Sequence, residues 1–160
     1  MGKLILICGK ICSGKTTYAK HLLKTYRAVL LSCDEILLAL FGQNLGDKHD
    51  EMVNRTKQYL LHKSLEILST GGNVILDFGF WQKSERESTT LFFKQHGILP
   101  EWHYIDVTDS VWKQNIQKRN KAIMAQETAD YFIDDGLMQK FEKLFEPPAK
   151  DEIDVWYTNN

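Results

Sequence analysis

Residues Gly9 to Thr16 read Gly-Lys-Ile-Cys-Ser-Gly-Lys-Thr and match the pattern G-x-x-x-x-G-K-[ST] at every fixed position. The apolar run Leu4-Ile5-Leu6-Ile7-Cys8 stands directly before them, and the helix-compatible stretch Thr16 to Lys24 follows. Strand, glycine loop and helix in that order are the setting a phosphate-binding loop requires. Such a loop curls so that the backbone N–H groups of Ser13 to Thr16 point into one concavity. Gly9 and Gly14 permit backbone angles and a close phosphate approach that a Cβ would block. The N-terminus of the following helix adds partial positive charge. Lys15 is expected to reach the β and γ phosphate oxygens, and the Thr16 hydroxyl to hold Mg²⁺. The expected ligand is the di- or triphosphate of a nucleotide, bound by Gly9, Lys10, Ile11, Cys12, Ser13, Gly14, Lys15, Thr16 and Thr17.

The chain has 160 residues, enough for one compact domain with a sizeable core and too few for two ordinary ones. Its net charge of −1 gives no global signal for a nucleic-acid or acidic-membrane surface. No apolar run approaches the length of a membrane span, and the N-terminal run is too short for a signal-peptide core, so a cytoplasmic protein is expected. Cys8, Cys12 and Cys33 lack metal-ligand spacing and read as reduced thiols. Cys12 lies among the N–H donors of the loop, which predicts a lowered pKa and some sensitivity to oxidation.

Strand and helix patterns alternate along the whole chain, as in an α/β fold with a mainly parallel sheet. Strands are expected at Lys3–Cys8, Ala28–Ser32, Asn73–Asp77, Glu101–Val107 and Asp154–Tyr157. Helices are expected from the glycine loop to Tyr26, then at Asp34–Phe41, Asp50–Thr70 and Ser84–Gln95. Two more follow, from an Asp109 N-cap to Arg119 and at Asp134–Phe145 before Pro147-Pro148. Gly42 to Asp47 reads as a loop, and Asn120 to Tyr131 as polar and weakly patterned.

Ligands of such sheets sit beyond the carboxyl ends of the strands, and two acids fall there. Asp77 closes the run Val-Ile-Leu-Asp, the form of a carboxylate that holds Mg²⁺; its alternative is a cap on the following turn. Asp34 follows the second strand. It can accept the proton of a substrate hydroxyl or also bind the metal, and alternatively it N-caps a helix beginning at Glu35. Lys113, Lys118, Arg119 and Lys121 gather where a lid over the nucleotide is expected, at about 118–133, with a solvated face as the alternative. Arg119 is the best placed to grip phosphate through its planar fork. Arg86 and Arg55 are weaker candidates for the acceptor side.

Five blocks carry a resemblance: Lys3–Thr16, Leu31–Gly42 (L-S-C-D-E-I-L-L-A-L-F-G), Asn73–Glu87 (N-V-I-L-D-F-G-F-W-Q-K-S-E-R-E), Gln117–Asn120 (Q-K-R-N) and Phe132–Glu152. With them the chain resembles small bacterial ATP-binding P-loop kinases related to chloramphenicol phosphotransferase, zeta toxin and the polynucleotide kinase domain. The resemblance runs over nearly the whole chain. It implies a three-layer P-loop fold of the nucleoside and shikimate kinase type, with a five-stranded parallel sheet of order 2-3-1-4-5 and a short lid. ATP and Mg²⁺ are the implied cofactors. Asp34 is the implied substrate base, and Arg119 the implied lid arginine. The block Phe145–Glu152 either shapes an adenine pocket or forms a plain turn into the last strand. Acceptor-binding segments of the relatives have no counterparts here, so the likeness reaches the phosphate donor and stops before the acceptor.

Three functions are compatible with these residues. The leading one is a kinase that moves the ATP γ-phosphate to a hydroxyl of a small molecule. A regulatory nucleotide-binding module or slow NTPase is the second. A polynucleotide 5′-kinase is the third, opposed by the near-neutral charge and the lack of a basic, aromatic-interleaved stripe.

Overall fold

The apolar run ahead of the glycine loop becomes the centre of the fold. A computed structural model describes residues 1–43, 45–128 and 130–160. Asn44 of the expected loop and Ala129 of the expected lid lie outside the described residues. Strand β1 (Leu4–Gly9) is buried along its whole length, as a strand covered on both faces must be. It pairs in parallel with β3 (Asn73–Gly79) on one side and β4 (Glu101–Val107) on the other. Strand β2 (Ala28–Ser32) extends the sheet beyond β3, and β5 (Val155–Asn159) beyond β4. The order is β2-β3-β1-β4-β5, as the resemblance implied.

The period of two along the strands sorts the apolar residues into two layers. Leu4, Leu6, Val74, Leu76, Trp102 and Tyr104 face α3 (His49–Ser69) and α4 (Lys83–Gln95), which contribute Leu61, Leu68 and Phe93. Ile5, Ile7, Ile75 and Ile105 face the opposite way, against Ala19 and Leu22 of α1 (Lys15–Tyr26). A third cluster lies beyond the loop. There Cys12 and Val107 meet Trp112 and Ile116 of α5 (Asp109–Met124), Ile133, and Phe141 of α6 (Asp135–Leu144). No helix among the described residues is long and apolar enough to cross a membrane.

Several local expectations need correction: β3 runs past Asp77 to Gly79, β5 spans Val155–Asn159 and not Asp154–Tyr157, and a 3₁₀ segment, Gly46–Lys48, lies at the end of the expected loop. Helix α2 (Cys33–Phe41) starts a residue earlier than expected, and Ser32 caps it by accepting the Glu35 N–H at 3.3 Å. Asp34 is therefore not the N-cap. Thr108, not Asp109, occupies the N-cap position of α5. That helix also continues past Arg119 to Met124, because Lys121, Ala122 and Met124 are good helix formers with no breaker among them.

Arg86 is not on an open acceptor face. It is 3% exposed, and its Nε meets Glu152 Oε1 at 3.2 Å. Its Nη1 donates to the carbonyls of Phe80 at 3.1 Å and Glu146 at 3.0 Å. The Phe145–Glu152 block thus forms a turn into β5, with a short 3₁₀ segment at Lys150–Glu152, tied down through this guanidinium. Arg55 is an exposed side chain paired with Glu51 on the same helix at 3.5 Å. Removing one partner of a buried pair strands the other, so Arg86→Ala should cost about 3 kcal/mol of stability in urea denaturation. Nucleotide affinity of the folded fraction should stay within about twofold of wild type, because an effect of 0.4 kcal/mol or less is expected at a site it does not touch.

Candidate active site

A phosphate loop that turns its N–H groups inward must turn its carbonyls outward, and buried carbonyls need partners. Here four consecutive carbonyls each receive a side-chain donor. The Lys15 ammonium donates to Lys10 O at 2.5 Å, and Trp112 Nε1 to Ile11 O at 2.6 Å. Asn115 Nδ2 donates to Cys12 O at 2.9 Å, and Asn159 Nδ2 to Ser13 O at 3.3 Å. The loop is held from α1, α5 and the end of β5 together. The Lys10 side chain lies over the Trp112 ring, 4.7 Å from its centroid.

Both glycines are required by this curl. A Cβ on Gly9 would stand 2.8 Å from Ile105 O and from Ser13 Oγ. Gly14 has φ +98°, a conformation L side chains rarely adopt. Cys12, at φ 56°, also takes a left-handed conformation.

Strand pairing brings the carboxylates to the loop. Asp77 stands level with Ile7 on one side and Ser32 on the other. A register shift between Ile7 and Cys8 then skips Phe78 and pairs Cys8 with Gly79. Asp77 is 9% exposed, and burial pushes its carboxyl above the ordinary range, against the pull of Lys15 and of the Thr16 hydroxyl. Asp34, at the start of α2, is also pushed up by burial and drawn down chiefly by Lys15. Its side chain is exposed to solvent, unlike that of Asp77. Burial lowers the Lys15 ammonium, and Asp77 and Asp34 act against that shift.

Arg119 joins this set from α5. Its charge acts on Lys15, Asp34 and Asp77, and its Nε meets Asp130 Oδ2 at 3.3 Å. Lys15, Thr16, Asp34, Asp77 and Arg119 are thus brought together, whereas Lys113, Lys118 and Lys121 face outward along α5. The Cys12 thiol is raised, not lowered as the loop position suggested, since burial outweighs the nearby Arg119 and Lys15 charges. Cys33 is pushed up to about 12 in the same way.

Trp112, Asn115, Asn159, Asp130 and Tyr131 escape sequence reasoning. Trp112, Asn115 and Asn159 reach the loop across 101, 103 and 146 residues, and no local pattern marks Asp130 as the partner of Arg119 or Tyr131 as that of His49. A surface hollow of about 530 Å³ lies elsewhere, lined by Arg86, Leu91, Leu99, Trp102 and Asp154 among others, and shares no residue with the loop.

Residues 4–148 match the AAA domain family. The chain belongs to that family. Its kinship with P-loop kinases, expected from the five blocks, extends to solved structures. A Chloroflexus aurantiacus j-10-fl protein provisionally assigned as a kinase is 20% identical, covering 98% of this chain and 86% of that one, with a TM-score of 0.73. The Mycobacterium tuberculosis APS kinase CysC, solved with AMPPNP and APS, is 18% identical over 99% of this chain and 89% of that one, with a TM-score of 0.69. A gluconokinase from Sinorhizobium meliloti 1021 is 15% identical over 98% and 81%, with a TM-score of 0.61. At these identities the likeness is one of fold, and the family's fold implies a bound nucleotide. No curated protein sequence matches the chain significantly.

Two measurements test the site. Asn115→Ala frees the Cys12 carbonyl and should weaken nucleotide binding about fivefold in calorimetric titration, the scale of one neutral hydrogen bond. Asp77 has a folded-state pKa above its unfolded one, so its ionisation costs stability as pH rises through the range just above the usual carboxylate values. Nucleotide-free Asp77→Asn should therefore melt higher than wild type at neutral pH, and the difference should shrink below about pH 4. A lower melting point at neutral pH would contradict the sign.

Proposed function

We propose that this chain is a Mg-ATP-dependent phosphotransferase that moves the γ-phosphate of ATP to a hydroxyl of a small-molecule acceptor. The observation that carries the reading is the convergence of Lys15, Asp77, Asp34 and Arg119 on one clamped phosphate loop, with Asp77 buried there and raised by that burial. Groups held at such cost are expected where chemistry is done. The fit to a phosphate-bearing ligand rests on two features. The cradle at Gly9 is one a Cβ would fill, and Ser13 Oγ is buried without a partner among the described residues.

In this reading the loop N–H groups and Lys15 bind the phosphates of ATP. The Thr16 hydroxyl and Asp77 hold Mg²⁺, with Asp34 as a further ligand candidate. The metal, when bound, supplies positive charge against the phosphate oxygens. Asp34 accepts the proton of the acceptor hydroxyl; its raised pKa makes it the stronger base once ionised. Arg119, oriented by Asp130, presents the rest of its fork to the transferring group. Gly9, Lys10, Ile11, Cys12, Ser13, Gly14 and Thr17 complete the nucleotide site. The lid spans about 118–133, and its helical part ends at Met124. We place the whole of 1–160 in one P-loop kinase-like domain acting in the cytoplasm.

Acceptor screening with labelled ATP tests the reading. Asp34→Asn should lower phosphoryl transfer at least 100-fold, the usual scale of a lost general base, while nucleotide affinity persists. Lys15→Ala should lose both. Wild-type turnover in Asp34→Asn would remove the base, and ATP hydrolysis without any phosphorylated acceptor would favour the NTPase alternative.

A further inference from the structure

The connector between α5 and α6 crosses to the far wall of the site and is fixed at both ends of one tyrosine. On one side of Tyr131, Asp130 is fully engaged. Its Oδ2 meets Arg119 Nε at 3.3 Å, its Oδ1 accepts the Tyr131 N–H at 2.9 Å, and its carbonyl accepts Gln43 Nε2 at 2.6 Å. Two residues further, Ile133 is gripped by Asn120. The Asn120 Oδ1 accepts the Ile133 N–H at 2.8 Å, and its Nδ2 donates to the Ile133 carbonyl at 2.6 Å. Between these anchors the Tyr131 ring packs edge-on against His49, with centroids 5.7 Å apart. His49 lies one turn before Val53 on α3, whose carbonyl takes the thiol of Cys33 at 3.8 Å. Cys33 is the neighbour of Asp34, so the ring reaches the wall on which the acid stands.

Among the described residues four buried side-chain polar atoms have no partner, and besides Ser13 Oγ only the Tyr131 hydroxyl belongs to the site. The Tyr131 hydroxyl is buried and has no hydrogen-bond partner among the described residues. A buried hydroxyl left unpaired costs free energy, which a bound water or a ligand oxygen would recover. Burial and the neighbouring Asp34, Cys33 and Asp130 push the phenol up to about 12, so it stays protonated and donates. The same wall then carries one acceptor of a proton and one donor.

We propose that Tyr131 is a specificity-determining residue on the acceptor side, donating its hydroxyl to a second oxygen of the acceptor beside the hydroxyl that Asp34 deprotonates. The acceptor is accordingly a polyol, with at least two neighbouring oxygens. This rests on the phosphotransfer reading above. In the step itself, the acceptor oxygen forms a bond to the γ-phosphorus. The bond from that phosphorus to the β,γ-bridging oxygen breaks, ADP leaves, and the proton passes to Asp34. Tyr131 keeps its proton throughout.

The test compares wild type with Tyr131→Phe in two ways. The first is stability without ligands: a hydroxyl with no protein partner should be removed at no cost, so the melting point should hold or rise. The second is turnover of Mg-ATP with glycerol, D-ribose and D-gluconate as polyol probes, and with propan-1-ol and propan-2-ol, which carry a single oxygen. Wild type should phosphorylate at least one polyol. Tyr131→Phe should lose about 10-fold to 100-fold in kcat/KM for it, the scale of one unmet hydrogen bond in a closed site. Any probe lacking the second oxygen should be used equally by both proteins. A lower melting point, or undiminished polyol turnover in the variant, would overturn the role of Tyr131 and leave the phosphotransfer reading standing. Turnover confined to acceptors that are not polyols would do the same. Hydrolysis with no acceptor phosphorylated at all would overturn both.

Discussion

Everything at the site depends on the outward carbonyls of the phosphate loop finding donors. The loop can aim its N–H groups at a phosphate only if its backbone dipoles all point one way, and that leaves the opposite ends buried and unpaired. Lys15, Trp112, Asn115 and Asn159 meet the carbonyls of Lys10, Ile11, Cys12 and Ser13. These donors come from three elements, so the loop geometry is a property of the completed fold. The sheet edge at β5 stiffens the site from behind, while α5 both braces the loop through Trp112 and Asn115 and carries Arg119.

The charges follow a related logic. Asp77 and Asp34 are raised by burial while Lys15 is lowered, so each is held away from the state it would prefer in water. Mutual attraction among them offsets only part of that cost. On the proposed function, a ligand would relieve this arrangement by bringing phosphate oxygens to the lysine and a cation to the acids. The hydroxyls of Ser13 and Tyr131, both without a partner among the described residues, fit the same picture, one in the loop and the other within reach of the Asp34 charge.

Buried ionic groups serve a different end at Arg86. There Nε and Nη1 of the guanidinium meet Glu152 and the carbonyls of Phe80 and Glu146, tying the turn before β5 to the start of α4, while Nη2 is buried without a partner among the described residues. An arginine just after a strand that ends in aspartate looks, in sequence, like a substrate-binding group. Its partners lie up to 66 residues away, and only their positions show it to be structural.

The sequence by itself determined the strand order of residue types, the loop and its two glycines, and the acids at the ends of β2 and β3. These are local signals: periodicity of two or 3.6, and a motif whose chemistry fixes its spelling. The kinase likeness carried the sheet order 2-3-1-4-5 as well. Local pattern failed at the ends of elements, where Ser32 and Asp34 compete for one cap and where α5 runs on to Met124. Only the tertiary structure decided which polar side chains serve the loop, that Arg86 is buried, that the Cys12 thiol is raised, and that Tyr131 stands over the acid wall. Each of those depends on burial and on partners distant in the chain, and neither quantity is written in a run of neighbouring residues.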